Sequence, residues 1–185
     1  MTPKEASCYG SLLDRARSLV EFGAGGSTLY AVRRGISRIV SVESDPGWIA
    51  RLLDNAEIAA AEKEGRLTLI HVDVGPVARY SAPADTSRID QWSGYPMAPW
   101  EVCDEPDLVL VDGRFRVACI AQGVLHCKRS TLIGVHDFWT RPAYHEALCL
   151  LEWVSSAGSL GIFKPRRWSR RRAAELFQRY RFTPL

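Results

Sequence analysis

The chain has 185 residues, a length that fits one hydrophobic core and is short for two. Its 46% hydrophobic and 24% charged composition is that of an ordinary globular protein, which excludes fibrous and disordered classes. The formal net charge of +3 is unevenly placed: Lys164, Arg166, Arg167, Arg170, Arg171, Arg172, Arg179 and Arg181 face only Glu175 between positions 164 and 181, and the remaining body carries net −4.

No apolar run reaches the ~18 residues of a membrane span, and residues 1 to 20 are interrupted by charges where a signal peptide would be apolar. The expectation is a cytoplasmic protein without membrane association. Cys8, Cys103, Cys119, Cys127 and Cys149 form no Cys-x-x-Cys pair, so free and mostly buried thiols are expected.

Taken in order, Ser18-Leu-Val-Glu-Phe22 is a short apolar run ending at glycines and predicts a buried strand. Positions 27–34 predict a short helix stopping near Gly35, and Ile39-Val-Ser-Val-Glu43 a second strand, together a β-α-β unit. Asp45-Pro46 reads as a helix start, alanine-rich 46–64 as helix, Gly65 as its stop, and Leu67–Val72 as a third strand. Runs 107–112, 131–136 and 160–163 predict further strands, with helix near 115–127 and 142–154, and an amphipathic helix from Ser169 carrying Ala173, Leu176, Phe177 and Tyr180 on one face. Alternation of apolar strands with helices predicts an α/β sandwich: a mostly parallel sheet covered on both faces. Residues 75–104, with four prolines and the aromatics Tyr80, Trp92, Tyr95 and Trp100, predict a long loop over the body. The whole, 1–185, is read as one domain with that insertion and a basic segment at 165–185.

Ligands of parallel sheets bind beyond the carboxyl ends of the strands, and here five such ends carry acids: Glu21, Glu43, Asp73, Asp112 and Asp137. Gly23-x-Gly25 before a helix admits a ligand close to the backbone, but the third glycine of a dinucleotide fingerprint falls on Thr28, which argues against a nicotinamide cofactor and an oxidoreductase.

With Glu21-Phe22-Gly23-Ala24-Gly25 as an acidic-x-Gly-x-Gly turn, the chain resembles the class I S-adenosylmethionine-dependent methyltransferases over roughly residues 15–164. The strings Val72-Asp-Val-Gly-Pro76, Val111-Asp-Gly-Arg-Phe-Arg-Val-Ala-Cys119 and His136-Asp-Phe138 with Arg141-Pro142 look like a bacterial methyltransferase-like family. The resemblance implies a seven-stranded Rossmann-like sheet with an antiparallel last strand. It also implies S-adenosylmethionine on Glu21, Gly23, Gly25 and Ser27, with Glu43 on the ribose hydroxyls and Asp73 and Val74 at the adenine.

Asp112, His136 and Asp137 would then face the transferred methyl as catalytic groups. In the cation-dependent O-methyltransferases, acids at comparable strand ends hold a divalent metal; Asp112, His136 and Asp137 could form a similar group, but a metal-free site is favoured because Arg114 and Arg116 bring positive charge close. Arg114, Arg116 and Arg141 suit an anionic small-molecule acceptor, with salt bridges inside the domain as the commoner alternative, and Tyr95 and Trp100 either form a cover over the acceptor or pack the loop onto the body. Trp48 and Trp153 read as packing residues outside the site. The arginine-rich segment leaves open a nucleic-acid partner or a non-catalytic RNA-binding module on the same fold. Acceptor and oligomeric state are not legible.

Overall fold

A computed structural model describes residues 1–185. Helix α1 (Pro3–Leu13) opens the chain, closed at its start by a capping box between Thr2 and Glu5. The strands are β1 (Ser18–Phe22), β2 (Arg38–Glu43), β3 (Leu67–His71), β4 (Leu108–Val111), β5 (Leu132–Val135), β6 (Leu151–Ala157) and β7 (Leu160–Pro165). They form one sheet in the order β3-β2-β1-β4-β5-β7-β6. All neighbours from β3 to β5 are parallel, whereas β7 is antiparallel to both β5 and β6. The expected Rossmann-like sheet with an antiparallel last strand is therefore present.

Side chains alternate across the sheet, and each face builds its own core. Val20, Phe22, Val40, Val42, Val109 and Val111 pack on one side with helix α5 (Arg116–His126) and helix α6 (Arg170–Tyr180). Leu19, Ile39, Leu108 and Leu110 pack on the other with α1, helix α2 (Gly26–Arg33) and helix α4 (Ala56–Lys63). The same alternation sends Glu21, Glu43, Asp112 and His136, each an even number of residues beyond a member of the second set or of β5's Leu132, to the α1–α2 side.

Two expectations need correction. The helix over 46–64 is two helices, α3 (Pro46–Leu53) and α4, because Asn55 accepts from the amides of Glu57 and Ile58 and starts a new helix. The helix over 142–154 is a 3-10 helix, Pro142–Leu150, followed by edge strand β6; Ala157-Gly158-Ser159-Leu160 turns it into β7, with Gly158 at φ +58. The cysteines are free, with Cys103, Cys119 and Cys127 buried. No helix is long and apolar enough to cross a membrane.

Candidate functional site

A cleft of about 890 Å³ opens beyond the carboxyl ends of β1, β2 and β4. The glycine turn after β1 lies along it, and its three glycines are there for different reasons. Gly23 has φ +93, and a Cβ there would stand 2.7 Å from the backbone of Gly113, so the turn requires glycine to pack against the end of β4. Gly25 and Gly26 meet no such obstacle: a Cβ on Gly25 finds only Trp48, at 3.9 Å, and one on Gly26 finds nothing within 4 Å. Both face the cleft, so the missing side chains leave room for a ligand against the backbone.

Thr28 explains why this turn is not a dinucleotide fingerprint. Its hydroxyl donates to Glu21 Oε2 at 2.5 Å and accepts from the Gly25 amide at 2.8 Å, tying the turn shut with a side chain where a fingerprint would have none. Ser41 also donates to Glu21 Oε2, at 2.7 Å, while Oε1 is buried without a partner. Burial pushes the Glu21 carboxyl up to about 7 against the hydrogen bonds that oppose it, and the Asp112 charge adds to the rise. Glu21 is fully buried and does not line the cleft, so it acts beneath the turn instead of on a ligand directly. Ser27 does line the cleft, as expected.

Glu43 ends β2 at the lip. Its Oε1 accepts from the amides of Ser44 at 2.7 Å and Asp45 at 3.0 Å, which fixes the carboxylate and leaves Oε2 without a partner in the chain. Asp73 and Val74 are placed differently from expectation. Asp73 is exposed, caps its own turn through the Gly75 amide and lies 3.8 Å from Arg88; Val74 is fully buried and its carbonyl accepts from the Trp92 indole. Neither lines the cleft; that wall is made by Ala78–Ser81. Ser44 donates to the Ser81 carbonyl at 3.0 Å, and Tyr80 and Ser81 both hold left-handed backbone, at φ 61 and 56.

Of the two readings for the loop aromatics, packing onto the body is the one the structure supports. Tyr95 lines the cleft but is a buried floor residue between Phe22 and Phe115, donating to the Val42 carbonyl. Trp100 lies in the core, packed on Phe22 and stacked on His126, away from the cleft. Trp48, set aside in the sequence, is the tryptophan that lines it: its indole donates to the Ala24 carbonyl at 2.8 Å across the glycine turn. A helix starting with Asp45-Pro46 right after Glu43 was the signal that could have placed it.

At the ends of β4 and β5 the charges interlock. His136 Nδ1 is 3.0 Å from Asp112 and 3.5 Å from Asp137, and Nε2 is 3.4 Å from Glu5 of α1. The Asp112 hydrogen bond outweighs burial and raises the imidazole above its ordinary value, favouring the charged form. Held among three carboxylates and off the cleft lining, His136 is placed to orient Asp112 and Asp137 and not to reach a ligand. Glu5 tolerates burial because the Thr2 amide and the Ser159 amide and hydroxyl donate to it, holding its carboxyl well below the usual range.

Arg116 is likewise withdrawn from substrate binding. It lies 3.3 Å from Asp112 and 3.6 Å from Asp137, donates to the carbonyls of Gly113, Asp112 and His136, and stacks over Tyr144. A guanidinium between the two aspartates, with an imidazolium beside them, does not fit a divalent ion there. Of the three proposed catalytic groups only Asp112 reaches the cleft. Arg114 lines the cleft and also a second cavity, which it shares with Arg141.

The basic segment is partly used by the chain itself: Arg166 and Arg170 donate to the carbonyls of Leu151 and Leu125, while Arg171 and Arg179 pair with Glu175 and Glu146.

No protein-family model and no curated protein matches the sequence. Among solved structures, a methyltransferase-like protein from Silicibacter pomeroyi is 26% identical, with a TM-score of 0.77 over 96% of this chain and 95% of its own. An O-methyltransferase from Bacillus cereus solved in complex with SAH is 13% identical, with a TM-score of 0.58 over 89% and 82%. A methyltransferase from Geobacter sulfurreducens is 11% identical, with a TM-score of 0.58 over 90% and 79%. Sheet order, the cleft beyond the parallel strands and these likenesses together place the chain in the class I S-adenosylmethionine-dependent methyltransferase superfamily.

Proposed function

We propose that the protein is an S-adenosylmethionine-dependent methyltransferase acting on a small, anionic acceptor. The observation that carries the reading is the pairing of an oriented Glu43 carboxylate with the open Gly25–Gly26 backbone across one cleft. A carboxylate with a free oxygen accepts from ribose hydroxyls and offers no competing donor. Backbone without side chains lets the rest of a nucleoside ligand lie close.

S-adenosylmethionine, when bound, supplies a methyl group on a sulfonium. The chain's own part is placement: Glu43, Ser27 and the glycine backbone hold the cofactor, while Trp48 walls the turn. Asp112, oriented by His136 and Arg116, presents a fixed carboxylate at the cleft beside Gly113. Arg114 at the same mouth favours an acceptor carrying negative charge.

Glu43→Ala should weaken S-adenosylhomocysteine binding at least about tenfold, the size of a lost charge-assisted hydrogen bond, with unchanged circular dichroism. Calorimetry showing equal affinity in both proteins would sink the ribose assignment. NAD titrated in parallel should give no heat, because Thr28 closes the turn.

A further inference from the structure

Beside the main cleft lies a cavity of about 330 Å³ lined by Arg114, Arg141, Ala143, Tyr144, Pro184 and Leu185. Two guanidiniums and a phenol are its polar side chains, beside the main chain of Pro184 and Leu185, and no carboxylate side chain lines it. Arg141 is exposed and only loosely paired, 3.7 Å from Asp137. Arg114 has no ion pair at all: it donates to the Pro184 carbonyl, and its Nε is buried without a partner. Burial is the main cause that lowers the pKa of its guanidinium; Tyr144 and Tyr95 oppose it, and Arg116 and Arg141 add to it.

Among the side chains, Glu5 is set against His136, and the three guanidiniums of Arg114, Arg116 and Arg141 face the two carboxylates of Asp112 and Asp137, both of which Arg116 already engages. A half-buried cation without an anion is costly, and a neutral carbonyl compensates it only in part. Because Arg114 lines both cavities, a molecule whose anionic end sits in the smaller one can reach past Arg114 to Asp112 and Gly113 in the larger.

We propose that the Arg114–Arg141 cavity is the seat of the acceptor's oxyanion, a carboxylate or phosphate group, and that the Pro184 carbonyl holds Arg114 when the acceptor is absent. The inference deepens the methyltransferase reading and rests on it for the word acceptor, but the anion site stands on its own residues. Arg116, which the sequence grouped with these two, has no part in it.

The test is calorimetric titration of benzoate and of phenyl phosphate into the full chain at one fixed low ionic strength, with and without saturating S-adenosylhomocysteine. Benzamide and benzyl alcohol are the neutral controls. At least one oxyanion should bind where the neutral molecules do not, the tighter of the two naming the group. Arg141→Gln, which alters only an exposed side chain, and Arg114→Gln should each weaken binding at least tenfold, while Arg172→Gln on the far basic segment should not. Absence of oxyanion binding, equal binding of benzamide, or indifference to both Arg141→Gln and Arg114→Gln would overturn the site. Oxyanion binding lost equally in Arg172→Gln would do the same. Failure of S-adenosylhomocysteine to bind while the oxyanion still does would remove the methyltransferase reading and leave the anion site.

Discussion

Replacing Glu21 by Gln should stabilise the protein at alkaline pH and do little at acid pH. Below pH 4.5 the carboxyl is protonated in both folded and unfolded chains and contributes no difference. Between 4.5 and about 7 the unfolded chain releases its proton while the buried carboxyl keeps it, so the wild-type protein loses stability as pH rises. Each pH unit across that window costs about 1.4 kcal/mol, or about 3 kcal/mol in all, after which the loss is constant. Gln removes the titration yet keeps an oxygen to accept from Thr28 and Ser41, and its new amide enters at the oxygen that has no partner now. Urea melts of both proteins at pH 5 and pH 8, under reductant because five thiols are free, give the difference directly. The other titrating groups are common to both and cancel. A gap between the two midpoints that stays the same at pH 5 and pH 8 would refute the raised carboxyl.

The glycine turn separates stability from binding. Gly23→Ala should cost at least about 2 kcal/mol, since the residue must keep φ +93 against the Gly113 backbone, whereas Gly25→Ala should stay within about 1 kcal/mol of wild type and still lose S-adenosylhomocysteine affinity. Denaturation and calorimetry on the two variants check this, and a stable Gly23→Ala would contradict it. Asp112→Asn should lower the His136 imidazole pKa, followed by NMR titration, because the Asp112 hydrogen bond is the main cause of its rise. The destabilisation it causes should be largest below pH 6.5 and fade as pH rises through the raised folded value, since only the imidazolium gains from the pair.

Strand ends were legible because a parallel sheet writes them plainly: an apolar run, then an acid or a glycine. Glu21, Glu43, Asp112 and His136 follow from that pattern together with alternation. Asp73 obeys the same pattern and still misses the cleft, because residues 76–83 fold back over the end of β2 through the Ser44–Ser81 contact, and no period in the sequence records a loop's path. Arg116 kept two readings, acceptor and salt bridge, for a related reason: side-chain charge is visible in sequence, but its engagement by Asp112 and Asp137 depends on two strand ends meeting. Strand β6 was hidden by Leu151, Trp153 and Val154, which mimic a helical stripe on an exposed edge; the Gly158-Ser159 pair before Leu160 was the hairpin signal that outweighed it.

What distinguishes the acids at these strand ends, and Glu5 of α1 beside them, is how each is compensated. Glu21 lies deepest and is relieved by holding a proton near neutrality. Asp112 is matched by two cations, His136 and Arg116, and Glu5 by the donors of Thr2 and Ser159. Glu43 alone is held by two backbone amides on one oxygen, with the other left unpartnered at the rim of the cleft. The first three are compensated inside the chain, Glu21 by its proton and by the Thr28 and Ser41 hydroxyls on one oxygen; of them only Asp112 lines the cleft, and its two neighbours already engage it. An oriented carboxylate with an unused oxygen is completed only by a donor from outside, which is why the reading of the whole cleft turns on Glu43 more than on the glycines that first draw attention to it.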